Sequence, residues 1–290
     1  MAPTRATLLP GVVVLCLGAP ATPASSAQVP SFGARVEVVK VSVLVKGGDG
    51  PILGLAAADF EVRDNGVAQE VERVQQEELP LGVILAFDVS GSVYGDELDH
   101  LKSSSHAVLD GLKPGDRATL VCFADGLSQL SPLQADLAPL RARIDALTAG
   151  GGTSLVDGIF AAIALGDAAL GRALAVVFTD GQETASWLPE SYALDAARRT
   201  EVVVYGVQVG WEGGEFLERV GSTTGGRLLH VGSSDRLRQA FLEILQEFRT
   251  RYVLRYTPRG VKRQGWHRLD IRVKGRSAKV VARKGYLVSR

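Results

Sequence analysis

The sequence predicts an α/β domain with a doubly wound, mostly parallel sheet, inserted into a small β-sandwich built from the N- and C-terminal segments. Three observations carry this expectation. Apolar runs of strand length, LGVILAFD, ATLVCFAD, ALAVVFTD, EVVVYGVQVG and GRLLHVG, alternate with helix-like stretches across residues 80–250. These runs are nearly continuous in Val, Leu, Ile and Ala, as strands covered on both faces require. The flanking segments 31–79 and 251–290 alternate apolar and polar residues instead, which suits strands buried on one face only.

The chain opens with an expected export signal over residues 1–27. Arg5 supplies a positive start, Leu8 to Leu17 an apolar run, and APATPASSAQ the small residues around a cut after Ala27. That run is shorter than the roughly 20 residues that span a bilayer. The expected protein is therefore exported (periplasmic, cell-surface or extracellular) and not inserted in a membrane after cleavage. Cleavage removes Cys16 and leaves only Cys122, so no internal disulfide forms.

In the N-terminal β segment, RVEVVKVSVLVK sets Val39, Val41, Val43 and Val45 on one face and Lys40, Ser42 and Lys46 on the other. GGDG at 47–50 is a turn. Asn65-Gly66 within DFEVRDNGVAQEVERV supplies the positive φ angles of a tight hairpin. Across 80–250, helices are predicted over 96–112, 136–148, 154–169, 189–199, 214–221 and 234–250. Beyond 251, RYVLRYTP, WHRLDIRVK and AKVVARKGYLV return to β character, with Leu269, Ile271 and Val273 on one face. Each flank is too short to bury a core alone, so the two are expected to share one.

Hydrophobic residues make up 46% of the chain, and 32 basic residues balance 32 acidic ones. No basic stripe or polybasic run argues for nucleic acid or an anionic membrane surface.

The chemistry concentrates at strand ends. LGVILAFD ends in Asp88, and Ser90 and Ser92 follow at alternate positions around Gly91, which is expected to permit the sharp turn. ALAVVFTD ends in Thr179 and Asp180 before Gly181. Between these, GGGTSLVDG sets Thr153 after three glycines at a predicted helix start. Each segment alone reads as a cap or a turn. Together they place two carboxylates, Asp88 and Asp180, and three hydroxyls, Ser90, Ser92 and Thr153, beyond strand ends, where open sheets bind ligands. The set is all hard oxygen with no imidazole or thiol nearby, which disfavours zinc and copper and suits Mg²⁺ or Mn²⁺. Neutral hydroxyls leave such an ion electrophilic toward a partner's Asp or Glu.

DVSGS, the Thr153 loop and FTDG resemble the metal-ion-dependent adhesion site (MIDAS) of von Willebrand factor type A domains, over roughly 80–250. The whole chain also resembles exported VWFA-related proteins of the acidobacterial type, through DFEVRDNGVAQ and ARKGYL. The resemblance implies Ser90, Ser92 and Thr153 as direct ligands, and Asp88 and Asp180 as ligands directly or through water. Some integrin domains carry paired acids soon after the first motif. Gly95-Asp96 offers one acid there, so Asp96 is read as a solvated residue in the first turn of a helix.

The expected function is a non-enzymatic, Mg²⁺-dependent protein-binding or adhesion module whose partner presents Asp or Glu to the metal. Trp187, Gly152 and Ser154 are candidate partner contacts. Trp187 and Trp211 read equally as packing on their own loops. Two readings compete. One is a metal-dependent hydrolase using Ser90 or Ser92 as nucleophile. The other is a structural envelope module with an unoccupied site. The chain has no GxSxG, P-loop or HExxH, and His100, His106, His230 and His267 do not adjoin the three site segments in sequence.

Overall fold

The computed structural model describes residues 38–48, 50–76, 80–169, 171–210 and 214–288. The expected export signal, Cys16 and Trp211 lie outside the described residues.

The central sheet has six strands: β6 (Leu81–Asp88), β7 (Arg117–Phe123), β8 (Leu127–Leu130), β9 (Arg172–Thr179), β10 (Val203–Val209) and β11 (Leu228–Val231). Their order is β11-β10-β9-β6-β7-β8. Five strands run parallel, and β8 pairs antiparallel with β7 at one edge. All six predicted helices form: α1 (Asp96–Asp110), α2 (Ala138–Asp145), α3 (Leu155–Asp167), α4 (Glu190–Arg199), α5 (Glu215–Thr224) and α6 (Leu237–Arg249).

The double winding follows from side-chain alternation along strands that bury every residue. Leu81, Val83, Leu85 and Phe87 of β6 face one core with residues of α1, α2 and α6. Ile84 and Ala86 face the other, with residues of α3, α4 and α5. Gly158 on α3 permits a close approach there, since a Cβ on it would fall 2.3 Å from the Phe123 ring. Because β6 lies between β7 and β9, the winding reverses beside it. That leaves a crevice beyond the carboxyl ends of β6 and β9.

The strands of the two flanks pair with each other. One sheet contains β1 (Val39–Gly47), β2 (Gly50–Pro51), β5 (Arg73–Gln76), β12 (Tyr252–Tyr256) and β14 (Lys279–Ala282). The other runs β15-β13-β3-β4, with β3 (Phe60–Asp64), β4 (Val67–Gln69), β13 (Gly265–Val273) and β15 (Gly285–Val288). β1 pairs antiparallel with β12 and β14, and β3 with β13. Val41, Val43, Val45, Phe60 and Val62 bury one apolar cluster with Tyr252, Leu254, Tyr256, Leu269 and Val273. The hairpin between β3 and β4 turns at Asn65 (φ 47°) and Gly66 (φ 84°), as Asn-Gly predicts.

A buried polar junction ties these sheets to the α/β layers. Arg251, wholly buried between α6 and β12, donates to the Tyr205 hydroxyl at 3.1 Å, to Ser42 O at 3.3 Å and to Gly225 O. Tyr205 in turn donates to Glu247 at 2.7 Å, and Lys46 and Arg227 pair with the same carboxylate at 2.7 and 3.0 Å. Burial pulls the Glu247 carboxyl upward, but these partners outweigh it and hold the group down at about 2. No helix among the described residues is long and apolar enough to cross a membrane.

Candidate metal centre

Asp88, the last residue of β6, is fully buried in the crevice. Its Oδ1 accepts from the Ser90 backbone N–H at 2.9 Å, and its Oδ2 from the Thr179 hydroxyl, at the end of β9, at 2.6 Å. Ser90 and Ser92 lie hydroxyl to hydroxyl at 3.1 Å, and Ser92 donates to Asp180 Oδ1 at 2.9 Å. A Cβ built on Gly181 would sit 3.5 Å from the Thr153 hydroxyl and 3.8 Å from that of Ser92. The structure thus brings together all five residues that the sequence nominates, from three separate loops. Ser92 stands exposed and Asp180 half-buried, so the cluster opens to solvent.

The loops are clamped by backbone bonds rather than by a glycine-only turn at Gly91. Gly91 does not take a positive φ, and a Cβ on it would meet Gly151 O at an ordinary 3.5 Å. Its N–H donates to Gly151 O at 3.0 Å, and Gly150 N–H donates back to Val89 O at 2.8 Å. The strict requirement lies at Gly151, where φ is +85° and a Cβ would press to 2.6 Å from the Asp125 carboxylate. Asp125 accepts from Gly152 N–H at 2.6 Å. Thr184 closes the ring: its hydroxyl accepts from Thr153 N–H at 2.9 Å, and its own N–H donates to Thr153 O at 2.9 Å.

The candidate partner contacts separate. Trp187 is 89% exposed. Its loop is pinned beneath by Asp157 of α3, which accepts from the N–H groups of Trp187 and Leu188 at 3.0 Å each. Gly152 is half-buried with its N–H committed to Asp125. Ser154 is fully buried and has no surface to offer a partner. Nor does its side chain cap α3. The free N–H groups of Val156 and Asp157 are met from the next loop by Ser186 and, at Val156, also by Glu183. A cap supplied from outside the helix leaves no mark beside it in the sequence. Tyr94, two residues after the first motif and 80% exposed, adds an aromatic that sequence reading passed over.

Sequence reading also missed Glu97. Asp96 is exposed in the first turn of α1, as expected, but Glu97 beside it is half-buried, and its Oε1 is sequestered with no hydrogen-bond partner. Its carboxyl is pushed up to about 7, by burial first and then by the charges of Asp180 and Asp88. Burial likewise raises Asp88 to about 6, against the hydrogen bonds from Ser90 and Thr179, with Asp180 adding to the rise. Asp180 is raised by burial as well. Three carboxyls disfavoured as anions, and one orphaned carboxyl oxygen, are what a divalent cation would relieve. Among the described residues no group of three or more His, Cys, Asp or Glu is placed to hold a metal, so hydroxyls must supply much of this donor set. That chemistry suits a hard ion.

The von Willebrand factor type A domain model matches residues 83–243. A solved von Willebrand factor type A structure from Catenulispora acidiphila aligns with a TM-score of 0.53 at 14% identity, covering 87% of this chain and 75% of that one. Proximal thread matrix protein 1 from the mussel byssus, solved with a zinc-occupied MIDAS motif, aligns with a TM-score of 0.54 at 18% identity. That alignment covers 64% of this chain and 49% of the mussel protein, so this chain spans about half of that protein's length. No curated protein matches the sequence significantly. At such identities the solved structures speak for the fold, while the domain match covers more than half of the 290 residues. The chain belongs to the von Willebrand factor type A domain family.

Proposed function

We propose that this protein is an exported, non-enzymatic protein-binding module that holds Mg²⁺ or Mn²⁺ at Asp88, Ser90, Ser92, Thr153 and Asp180 and captures a partner through that partner's Asp or Glu. The observation that carries this reading is the convergence of three hydroxyls and two raised carboxyls at a solvent-open crevice. The bound ion would supply a Lewis-acidic position for the incoming carboxylate. The chain's own groups set that position: Thr179 and Ser90 orient Asp88, and Ser92 orients Asp180. Trp187 and Tyr94 stand exposed in the loops that carry or contact these residues, as contact aromatics would. Zinc stands in the MIDAS motif of the mussel byssus protein, so Zn²⁺ belongs beside Mg²⁺ and Mn²⁺ in any titration.

Binding is favoured over hydrolysis by where the histidines are engaged. His100 bonds to Ser234, His106 to Asp145 and His267 to Asp64, and none of these three is hydrogen-bonded to Ser90 or Ser92. The test is capture from envelope extracts. Retention of a specific protein in Mg²⁺ should vanish in EDTA and in Thr153→Ala, with the circular dichroism of the variant unchanged. Capture that persists in EDTA would point to another surface.

The two flanking sheets are read here as a small β-sandwich carrying the α/β domain, supported by their common apolar cluster. Deleting residues 259–290 should then speed amide exchange sharply in β1 and β3 while β6 stays protected. Unchanged protection in β1 and β3 would sink the sandwich.

A further inference from the structure

At the opposite end of the central sheet from the candidate metal centre lies a cavity of about 520 Å³. It sits where the start of β9 and the ends of α3 and α4 meet the outer face of β1 and β12. Among the described residues, four cationic ones line it, Lys40, Arg172, Arg199 and Arg255, against two acids, Asp167 and Glu201.

Part of this charge is already matched. Arg172 donates to Phe248 O at 2.5 Å and lies over the Phe248 ring. Asp167 accepts from the Thr200 hydroxyl. Glu201 reaches Lys40 at 3.4 Å, with both side chains about half exposed, a pairing that contributes little. The carboxyl end of α4 does not need Arg199, because Arg283 donates to Arg198 O at 2.7 Å and to Thr200 O at 2.8 Å. No ion pair with a described residue is formed by Arg199 or Arg255.

Strand register adds an independent observation. Lys40 of β1 lies directly opposite Arg255 of β12, and Arg255 lies opposite Arg73 of β5. Val41, Leu254 and Val74 on the other face join the β core, so these three cations stand abreast on the side turned away from it. Like charges directly opposite each other destabilise a sheet, and an anion seated over the row offsets that repulsion. Two donors at this wall also lack acceptors: Arg255 Nε and the Ser42 hydroxyl are both buried without a partner.

We infer that this cavity binds the phosphate group of a small phosphomonoester. A carboxylate has two oxygens, fewer than Arg255, Ser42, Lys40 and Arg199 together would serve. A phosphate group offers three acceptor oxygens and about −1.5 to −2 charge at neutral pH, which suits Lys40, Arg199 and Arg255. The volume exceeds a bare phosphate, and Val202, Val203 and Phe248 give the remainder an apolar wall for an organic substituent.

The test uses the full chain in EDTA at fixed ionic strength, with inorganic phosphate and phenyl phosphate as probes, followed by calorimetry and ³¹P line broadening. Saturable binding of both is expected, with phenyl phosphate at least tenfold tighter. Arg255→Gln combined with Lys40→Gln should weaken both at least tenfold while leaving Mg²⁺ titration of the distant crevice unchanged. Arg199→Gln, at an exposed side chain, should weaken both severalfold without any risk to the core. Absence of saturable phosphate binding in wild type, equal binding by the double variant, or exclusion of phenyl phosphate would each overturn the assignment.

Discussion

Saturating Mg²⁺ will stabilise the wild-type protein and leave an Asp88→Asn/Asp180→Asn variant unmoved. At a hundredfold excess over the dissociation constant the gain is about 2.7 kcal/mol. For a domain of this size that is roughly 5–10 °C in Tm. Asparagine preserves the size of each side chain and an acceptor for Ser90 or Ser92, so the variant should fold while losing both anions. Thermal melts with and without Mg²⁺, alongside isothermal titration, read the effect. Equal stabilisation of both proteins would remove the metal from this crevice.

The same site sets a pH dependence with a definite sign. Folding lifts Asp88 from 3.8 to about 6 and Glu97 from 4.5 to about 7. The metal-free folded protein therefore binds these protons more tightly than the unfolded chain does. The stability they contribute is present at low pH and is lost as pH rises through about 6 and 7. For buried Asp88 the loss is about 3 kcal/mol. Mg²⁺ competes with the same protons, so its affinity should rise across this window. Glu97→Gln should flatten the upper part of both curves. A Mg²⁺ affinity that is constant from about pH 5 to 8 would contradict the placement of these carboxyls at the metal.

Glu247→Ala should cost about 3–5 kcal/mol in urea denaturation, the loss typical of breaking a buried ion pair from one side. It leaves the Tyr205 hydroxyl proton without its acceptor and removes the shared anion from Lys46 and Arg227, at the junction of α6 with β1 and β10. Its pH signature opposes that of the metal centre. The Glu247 carboxyl falls from 4.5 unfolded to about 2 folded. Its contribution is therefore present above 4.5 and is lost as pH falls through about 2. Glu247→Gln keeps a partner for Tyr205 and drops the charge, so it should cost less and abolish the acid-side loss. If Glu247→Ala and wild type unfold at the same urea concentration, the junction does not hold the layers together.

What the sequence determined by itself was local. The apolar run ending in Asp88, the Asn65-Gly66 turn and the six helices follow from side-chain patterning and backbone preference within a few residues. The five oxygen donors were legible for the same reason, since strand ends in an open sheet converge wherever the winding reverses. The edge strand β8 was not legible, because its four residues carry no apolar run and it is defined by antiparallel pairing with β7. Tertiary structure alone decided which polar groups are sequestered. Glu97 keeps a carboxyl oxygen out of water beside Asp180 while its neighbour Asp96 stays exposed, a difference set by the crevice and not by helix position. Ser154 sinks because Glu183 and Ser186, about thirty residues away in the chain, cap the helix it precedes. The row of Lys40, Arg255 and Arg73 exists only through the register of β1, β12 and β5, strands brought together from both ends of the chain. Periodicity tells each strand which face to bury, but the residue that lies opposite is chosen by long-range pairing, and charge and burial are properties of that pairing.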